Sequence, residues 1–186
     1  MPFIFEDSPL NGVKIITPRV FPDDRGFFME TYKQTDFVKA GITDEFVQDN
    51  HSSSTHGVIR GMHYQKGLHA QAKLVRVLLG AIYDVVVDVR QGSPDYGKWF
   101  GVELSSENRQ MIYVPAGFAH GFTVLSELAE IHYKASTDYC YDAEGGIAWN
   151  DPEIGIEWPV TNPELSAKDL LLPPLAQADN DFIFEV

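Results

Sequence analysis

The residues most able to do chemistry in this chain lie in two short stretches, 57–65 (Gly-Val-Ile-Arg-Gly-Met-His-Tyr-Gln) and 115–122 (Pro-Ala-Gly-Phe-Ala-His-Gly-Phe). Each stretch holds one histidine, His63 in the first and His120 in the second. An imidazole can bind a metal ion or move a proton near neutral pH. Protein sites for zinc or iron normally need at least three protein ligands. The chemistry therefore depends on how many other ligands accompany the two histidines.

The two stretches resemble the paired signatures of the cupin superfamily. There, a glycine followed by His-x-His, and a Pro-x-Gly-x-x-His, bring three imidazoles and a glutamate around one ion. In this chain Gln65 replaces the second histidine, and residues 67–71 hold no carboxylate where the acid is expected. Because two of the four usual ligands are missing, we expect His63 and His120 to be acid–base groups, with no metal bound.

Composition limits the class of protein. The 186 residues, 44% of them hydrophobic and 12% aromatic, suffice for one domain with a sizeable core. A net charge of −13 argues against nucleic acid or an anionic membrane as partner, since both need a basic surface. The single cysteine, Cys140, excludes an intramolecular disulfide and fits a reducing compartment. With no signal-like start and no apolar run of about 20 residues, we expect a cytoplasmic location.

The spacing of turn signals predicts an all-β fold. Between about residues 12 and 150, short β-rich segments alternate with Gly- and Pro-containing turns, a pattern typical of a sandwich or barrel. Only two short helices are predicted, at 34–40 and 166–171. We expect a single domain over 1–186, with its core at about 12–150 and a C-terminal extension at 151–186.

Period-two alternation orients several side chains, because successive residues of a strand point to opposite faces. Lys73 shares a face with two valines, so its ammonium group is predicted to point into the barrel. Tyr133 shares the less polar face of its strand with Ile131 and is predicted to point inward, which places His132 outside.

Residues 57–65 and 71–77 resemble one family closely, the dTDP-4-dehydrorhamnose 3,5-epimerases. The likeness continues in chain order through seven segments: 25–30, 48–50, 92–99, 104–108, 115–122, 147–152 and 165–169. This resemblance implies a cofactor-independent, metal-free jelly roll of the cupin type, with a few short helices. It also implies action on a dTDP-4-keto-6-deoxyhexose in the pathway to dTDP-L-rhamnose, a sugar of lipopolysaccharide and cell-wall polysaccharide.

Epimerisation beside a ketone needs a base, a stabiliser for the enolate oxygen, and an acid on the opposite face. The resemblance assigns His63 as the base and Asp169 as its orienting partner. It assigns Tyr133 as the acid and places Lys73 beside the 4-keto oxygen. No cofactor is required for this chemistry.

The resemblance also implies a set of substrate-binding residues. Its cations suit a diphosphate, which arginine can hold through two parallel hydrogen bonds. In the family, the equivalent of Arg25 reaches the partner subunit's site, which implies a homodimer with shared active sites. The set consists of Arg25, Glu30, Gln48, Asn50, Arg60, Lys73, His120, Glu144 and Lys168.

Three other functions remain open. A single-carbon epimerase, acting at carbon 3 or carbon 5 of a related nucleotide sugar, would use the same framework. A metal-dependent cupin oxygenase or isomerase would use His63, Gln65 and His120, and a sugar-binding cupin would catalyse nothing. Tyr133 could also be an ordinary core aromatic, and Lys73 could extend to the barrel rim.

Overall fold

The structure, a computed structural model, describes residues 2–184. The predicted domain span of 1–186 thus includes three terminal residues outside the described ones. Within 2–184 the elements, in chain order, are β1 (Phe3–Asp7), β2 (Lys14–Pro18), β3 (Val20–Asp23), β4 (Gly26–Met29), α1 (Gln34–Lys39), β5 (Gln48–Thr55), β6 (Ile59–Gln65), β7 (Lys73–Leu79), β8 (Ala81–Asp88), β9 (Trp99–Ser105), β10 (Met111–Val114), β11 (Phe118–Val124), β12 (Leu128–Ala135) and β13 (Glu144–Gly146). Short 3-10 turns lie at Gly67–His69, Tyr141–Ala143, Asp169–Leu171 and Leu175–Gln177.

Two antiparallel sheets face each other. The larger has the strand order β1-β2-β10-β7-β12-β5, and the smaller has the order β13-β6-β11-β8-β9. Strands that are neighbours in the chain often belong to opposite sheets, as β6 and β7 do, which is the arrangement of a jelly roll. The predicted all-β, cupin-type jelly roll is confirmed.

The main core fills the space between the sheets. Val75, Ile112 and Ile131 from the larger sheet pack with Val86 from the smaller one, and all four are fully buried. Because alternate residues of each strand point inward, one apolar face per strand suffices to build this core. Partly buried Tyr133 packs against it from β12, so the predicted inward orientation of Tyr133 is confirmed.

Helix α1 covers part of the outer face of the larger sheet, where Phe37 packs against Ile16, Met111 and Tyr113. The helix ends at Lys39, with Ala40 as its C-cap, close to the predicted end. No α-helix forms at 166–171, where the structure has only the 3-10 turn Asp169–Leu171. A segment this short gains too few hydrogen bonds to offset helix nucleation.

The chain after β13 returns across the smaller sheet. Val58 bridges Glu164, and the amide of Ile59 donates a hydrogen bond to the Glu164 carbonyl at 2.9 Å. This pairing fixes the following turn beside β6. The division into a core at about 12–150 and an extension at 151–186 stays a prediction. Over residues 2–184, the longest helical segments fall far short of what a bilayer crossing requires.

Candidate active site

A cavity of about 520 Å³ opens between the two sheets. Seven of the predicted site residues line it: Arg60, His63, Lys73, His120, Tyr133, Lys168 and Asp169. They come from β6, β7, β11, β12 and the C-terminal segment, so no single element builds the site. The cavity is the place where the sequence-predicted acid, base and cations meet.

Two glycines allow β6 and β11 to approach closely beside this cavity. A Cβ atom on Gly61, whose φ is +138°, would lie 2.5 Å from the Cα of Gly121. A Cβ on Gly121 would lie 2.7 Å from the Arg60 carbonyl oxygen. The close approach puts His63 directly opposite His120, and the pairing register shifts just after that point. The glycines of the two motifs therefore serve the geometry of the site.

His63 is paired with Asp169. Its Nε2 lies 2.8 Å from Asp169 Oδ1, and the amide of Gly61 donates to Asp169 Oδ2 at 3.4 Å. The Asp169 side chain is 6% exposed and that of His63 is 28% exposed. Burial by itself raises the pKa of Asp169, but the hydrogen bonds from His63 and Gly61 outweigh it and leave the pKa below its ordinary value. A carboxylate only accepts hydrogen bonds, so Nε2 carries the proton and Nδ1 keeps a free lone pair.

Lys73 extends into the cavity from the start of β7, as alternation predicted. Its Nζ lies 3.5 Å from the His63 carbonyl oxygen. Burial lowers the pKa of Lys73 to about 8, although Asp84 and Glu144 act in the opposite direction. A poorly hydrated ammonium group of this kind binds a negative charge strongly.

Tyr133 lines the cavity from β12, opposite Val75 of β7. Burial raises the pKa of the Tyr133 phenol above its ordinary value, against a smaller lowering by Arg60. The phenol is therefore protonated at neutral pH. Arg60 is held at the cavity by Ser54, whose buried hydroxyl accepts a hydrogen bond from Arg60 Nε at 2.8 Å.

His120 has a carboxylate partner that sequence reasoning missed. Its Nε2 lies 3.0 Å from Oδ1 and 2.9 Å from Oδ2 of Asp84, a fully buried residue of β8. A signal was present in the sequence, because Asp84 interrupts the run of apolar and aromatic residues from Ala81 to Val87 in β8. Buried acids in apolar strands usually have a specific partner.

Glu144 and Lys168 form an ion pair at the mouth of the cavity. With His63 they also line a neighbouring depression of about 450 Å³. Tyr139 donates a hydrogen bond to Glu144 Oε2 at 2.9 Å. Burial by itself raises the pKa of Glu144, but the hydrogen bonds from Lys168 and Tyr139 together outweigh it and leave the pKa below its ordinary value. The carboxylate is therefore ionised at neutral pH. The rim thus carries fixed charges of both signs.

Besides Glu144 at the rim, four predicted binding residues lie outside the cavity lining. Gln48 Nε2 donates a hydrogen bond to Asn50 Oδ1 at 2.8 Å, and Gln48 Oε1 accepts one from the Tyr139 amide. These contacts connect β5 to the rim. Arg25 lies on the turn of the β3–β4 hairpin with its side chain 90% exposed, and it pairs with Asp23. The fourth residue, Glu30, follows β4. The cavity of one chain does not contain these four side chains.

The residues expected of a metal-binding cupin do not supply three free donors. His63 and His120 each direct Nε2 at a carboxylate and leave only Nδ1 free, and Gln65 Oε1 accepts a hydrogen bond from the Cys140 amide at 2.8 Å. Within residues 2–184, no group of three His, Cys, Asp or Glu side chains is placed to hold an ion. These residues do not fit a metal.

Apolar residues complete the cavity wall, and their role was not predicted. Val75, Phe122 and Ile131 line it from three strands. Glu164 and Ser166 line it from the C-terminal segment, where the Ser166 hydroxyl accepts a hydrogen bond from the Asp169 amide at 3.1 Å. This hydrogen bond orients Asp169 at the start of the 3-10 turn Asp169–Leu171.

Comparisons with known proteins identify relatives of this chain. An epimerase named dTDP-4-dehydrorhamnose 3,5-epimerase from Salmonella typhimurium is 54% identical over 173 residues, which cover 92% of this chain and 94% of that protein. A relative named dTDP-4-dehydrorhamnose 3-epimerase, from Streptomyces niveus, is 40% identical over 170 residues, 91% of this chain and 82% of that protein.

A solved structure shares the fold. It is the dTDP-6-deoxy-D-glucose-3,5-epimerase of Legionella pneumophila in complex with dTDP-4-keto-L-rhamnose, with a TM-score of 0.92, 44% identity and 95% of each chain covered. The family model for dTDP-4-dehydrorhamnose 3,5-epimerase matches residues 7–177. The chain belongs to the dTDP-4-dehydrorhamnose 3,5-epimerase family.

Proposed function

We propose that this protein epimerises carbons 3 and 5 of dTDP-4-dehydro-6-deoxy-D-glucose to give dTDP-4-dehydro-L-rhamnose, for dTDP-L-rhamnose biosynthesis. The observation that carries the proposal is the His63–Asp169 pair, which shares one cavity with Tyr133 and Lys73. Family membership and the ligand of the Legionella pneumophila epimerase support the substrate. The reaction needs no redox partner or cofactor, since only protons move.

His63 is the base in this mechanism. Its Nε2–H donates to Asp169, so the Nδ1 lone pair takes the hydrogen from the carbon beside the ketone. The Asp169 carboxylate stabilises the imidazolium that forms, because the two charges are adjacent and poorly solvated. The electron pair left on carbon moves to the ketone oxygen as an enolate.

Lys73 stabilises that enolate oxygen. A fixed ammonium group in a cavity with little water interacts more strongly with a developing oxyanion than one in bulk water does. Its pKa of about 8 keeps most of Lys73 charged near neutral pH. The same pKa lets it share a proton with the enolate as the charge develops.

Tyr133 is the acid in this mechanism. It reaches the cavity from the larger sheet, whereas His63 reaches it from the smaller one. A protonated phenol on the opposite side of the sugar ring returns a proton to the face that His63 does not reach, and this inverts the carbon. Applied in turn at the two carbons that flank the ketone, the same groups serve both inversions.

The binding residues accommodate the nucleotide. Arg60 and Lys168 line the cavity and can hold diphosphate oxygens, and His120 can accept a hydrogen bond from a sugar hydroxyl. Glu144 fixes Lys168 at the rim. Gln48 and Asn50 lie on the edge strand next to Tyr133, where they extend the polar surface of the site.

We also propose a homodimer in which the β3–β4 hairpin of one subunit completes the site of the other. The hairpin belongs to neither main sheet, and Phe21, Phe27 and Phe28 on it are 41%, 54% and 66% exposed. A two-stranded hairpin with exposed aromatic rings is typical of a segment that packs on a partner. Arg25 and Glu30, which the cavity of their own chain does not contain, would then reach a substrate. The single unpaired cysteine supports a cytoplasmic location.

The first experiment follows hydrogens 3 and 5 of dTDP-4-keto-6-deoxyglucose by proton NMR in deuterated water, with chelator-treated protein. Loss of both signals, with the L-sugar trapped by a reductase, is the expected result. His63→Asn should abolish exchange, whereas the matched variant His132→Asn, on the outer face of β12, should retain it. Exchange at neither carbon would refute an epimerase.

A single-carbon epimerase is the second candidate, because the Streptomyces niveus relative is named a 3-epimerase. It predicts loss of one signal only in the same experiment. Activity that appears only after a metal is restored would instead favour a metal-dependent cupin.

The dimer is tested by mixing subunits. His63→Asn and Arg25→Ala are expected to be poorly active when each is alone. If Arg25 serves the partner's site, a mixed dimer contains one complete site, and random mixing restores roughly a quarter of wild-type activity. No recovery in dimers shown to be mixed would place Arg25 in the site of its own chain, or in none.

A further inference from the structure

Asp84 is a buried acid for which the packing of the fold gives no reason. It lies in β8 between Ile82 and the valines at 85–87, and it is 0% exposed, as those neighbours are. Burying an ionised carboxylate costs several kcal/mol unless hydrogen bonds and a partner compensate. An apolar residue at position 84 would pack with its neighbours at no such cost.

Among residues 2–184, the one hydrogen-bond partner of the Asp84 carboxylate is His120. Both carboxylate oxygens lie within 3.0 Å of the same ring nitrogen, Nε2. Because a carboxylate accepts and does not donate, Nε2 carries the hydrogen. The other nitrogen, Nδ1, makes no hydrogen bond in the described part of the chain, and the ring lines the cavity.

We infer that Asp84 is a positioning residue of the reaction, which holds His120 in the tautomer that offers a bare Nδ1 to a donating hydroxyl of the sugar. The inference rests on the proposed function. It gives the site two His–carboxylate pairs at directly opposite positions of β6 and β11. In the His63–Asp169 pair the imidazole faces a carbon-bound hydrogen of the sugar. In the His120–Asp84 pair it accepts a hydrogen bond from a sugar hydroxyl.

The same carboxylate acts on Lys73. Asp84 opposes the effect of burial and raises the pKa of Lys73, and Glu144 from β13 does so less. The other ionisable groups that share the cavity with Lys73 are Arg60 and His63 of β6, His120 of β11, Tyr133 of β12, and Glu164, Lys168 and Asp169 of the C-terminal segment. Removing the charge of Asp84 therefore lowers the Lys73 pKa further.

Asp84→Asn is the main test, because it keeps the shape and removes the charge. An amide can either accept from or donate to Nε2, so it no longer fixes the tautomer. We expect kcat/KM to fall about 10- to 100-fold, mostly through KM, as for loss of one hydrogen bond involving a charged group. We also expect the alkaline limb of the pH profile to move to lower pH.

Asp88→Asn is the matched control. Asp88 is also 0% exposed and lies on β8, but it bonds Arg90 and Ser93 instead of a cavity residue. It should lower the melting temperature and leave the pH profile unchanged. If Asp84→Asn behaves in the same way, with KM and the alkaline limb unchanged, Asp84 is structural and the inference is wrong.

Two further measurements keep the test decisive if Asp84→Asn folds poorly. Nitrogen-15 NMR of histidine-labelled wild-type protein, assigned with His120→Asn, should show His120 protonated at Nε2 and bare at Nδ1. A proton on Nδ1 overturns the inference. In the His120→Asn background, Asp84→Asn should change KM little, and an undiminished effect would show that Asp84 does not act through His120. Absence of exchange at carbons 3 and 5 in the wild type would refute the proposed function, while the tautomer would still be measurable.

Discussion

Asp169→Asn isolates the charge that supports the base. The substitution keeps the size of a side chain that is 6% exposed and lies 2.8 Å from His63 Nε2. It removes the negative charge that faces the imidazolium in the transition state. Since the His63 imidazole is neutral in the substrate complex and becomes charged only as the proton moves, kcat should fall while KM changes little.

The magnitude follows from the separation of the two charges. Charge centres about 4 Å apart at an effective dielectric constant of about 20 interact by about 4 kcal/mol. At about 1.4 kcal/mol for each factor of ten, this corresponds to a loss of roughly 1000-fold in kcat. The amide can also support the wrong tautomer of His63, which would add to the loss.

The assay is solvent exchange at carbons 3 and 5 by proton NMR, together with formation of the L-sugar by a coupled reductase. Asp179→Asn is the matched control, because Asp179 lies in the same C-terminal segment but is 86% exposed and pairs with Lys66 at the surface. It should leave kcat within about twofold, as expected of a surface ion pair. A well-folded Asp169→Asn variant with kcat within about threefold of wild type would refute the assigned role of Asp169.

Three other variants test separate parts of the site. Tyr133→Phe should let His63 continue to exchange substrate hydrogen with solvent while the L-sugar forms about 100-fold or more slowly, and equal losses of both would contradict its role as the acid. Lys73→Met should lower kcat about 100- to 1000-fold. In wild type the rate should fall as pH rises through about 8, because the ammonium is then lost. Burial lowers the pKa of Lys73 in the folded state, so the unfolded chain binds more protons than the folded chain between about pH 8 and 10.5. The free energy of unfolding should therefore rise with pH across that window. Lys73→Met should remove this rise. Gly121→Ala should reduce both melting temperature and kcat, because its Cβ would lie 2.7 Å from the Arg60 carbonyl oxygen and from Met62 Sδ; wild-type values would show that β6 and β11 need not approach so closely.

Local sequence patterns predicted several features of the site. Alternation along β7 and β12 was enough to place Lys73 and Tyr133 inward, because strand periodicity depends only on neighbouring residues. The glycine-rich motifs indicated a close backbone approach, which the structure locates at Gly61 and Gly121. The helix predicted at 166–171 was wrong because tertiary contacts of that segment with β6 decide its conformation.

The dependence on tertiary structure is clearest for the two carboxylates. Asp169 lies 106 residues from His63 in the chain, and Asp84 lies 36 residues from His120. No periodicity spans such separations, and only the resemblance to a family suggested the first pair. The pairing of Asp84 with His120 was not predicted, although an acid within an apolar strand is unusual.

By itself, the sequence determined the all-β class, the inward strand faces and the chemical types at the site, because these depend on residue type and local spacing. Tertiary structure alone decided which carboxylate meets which imidazole, that Gln65 turns to the Cys140 amide, and that Arg25 lies away from the cavity of its own chain. Those outcomes depend on how distant strands pair and pack, and the energies that select a pairing are summed over the whole fold.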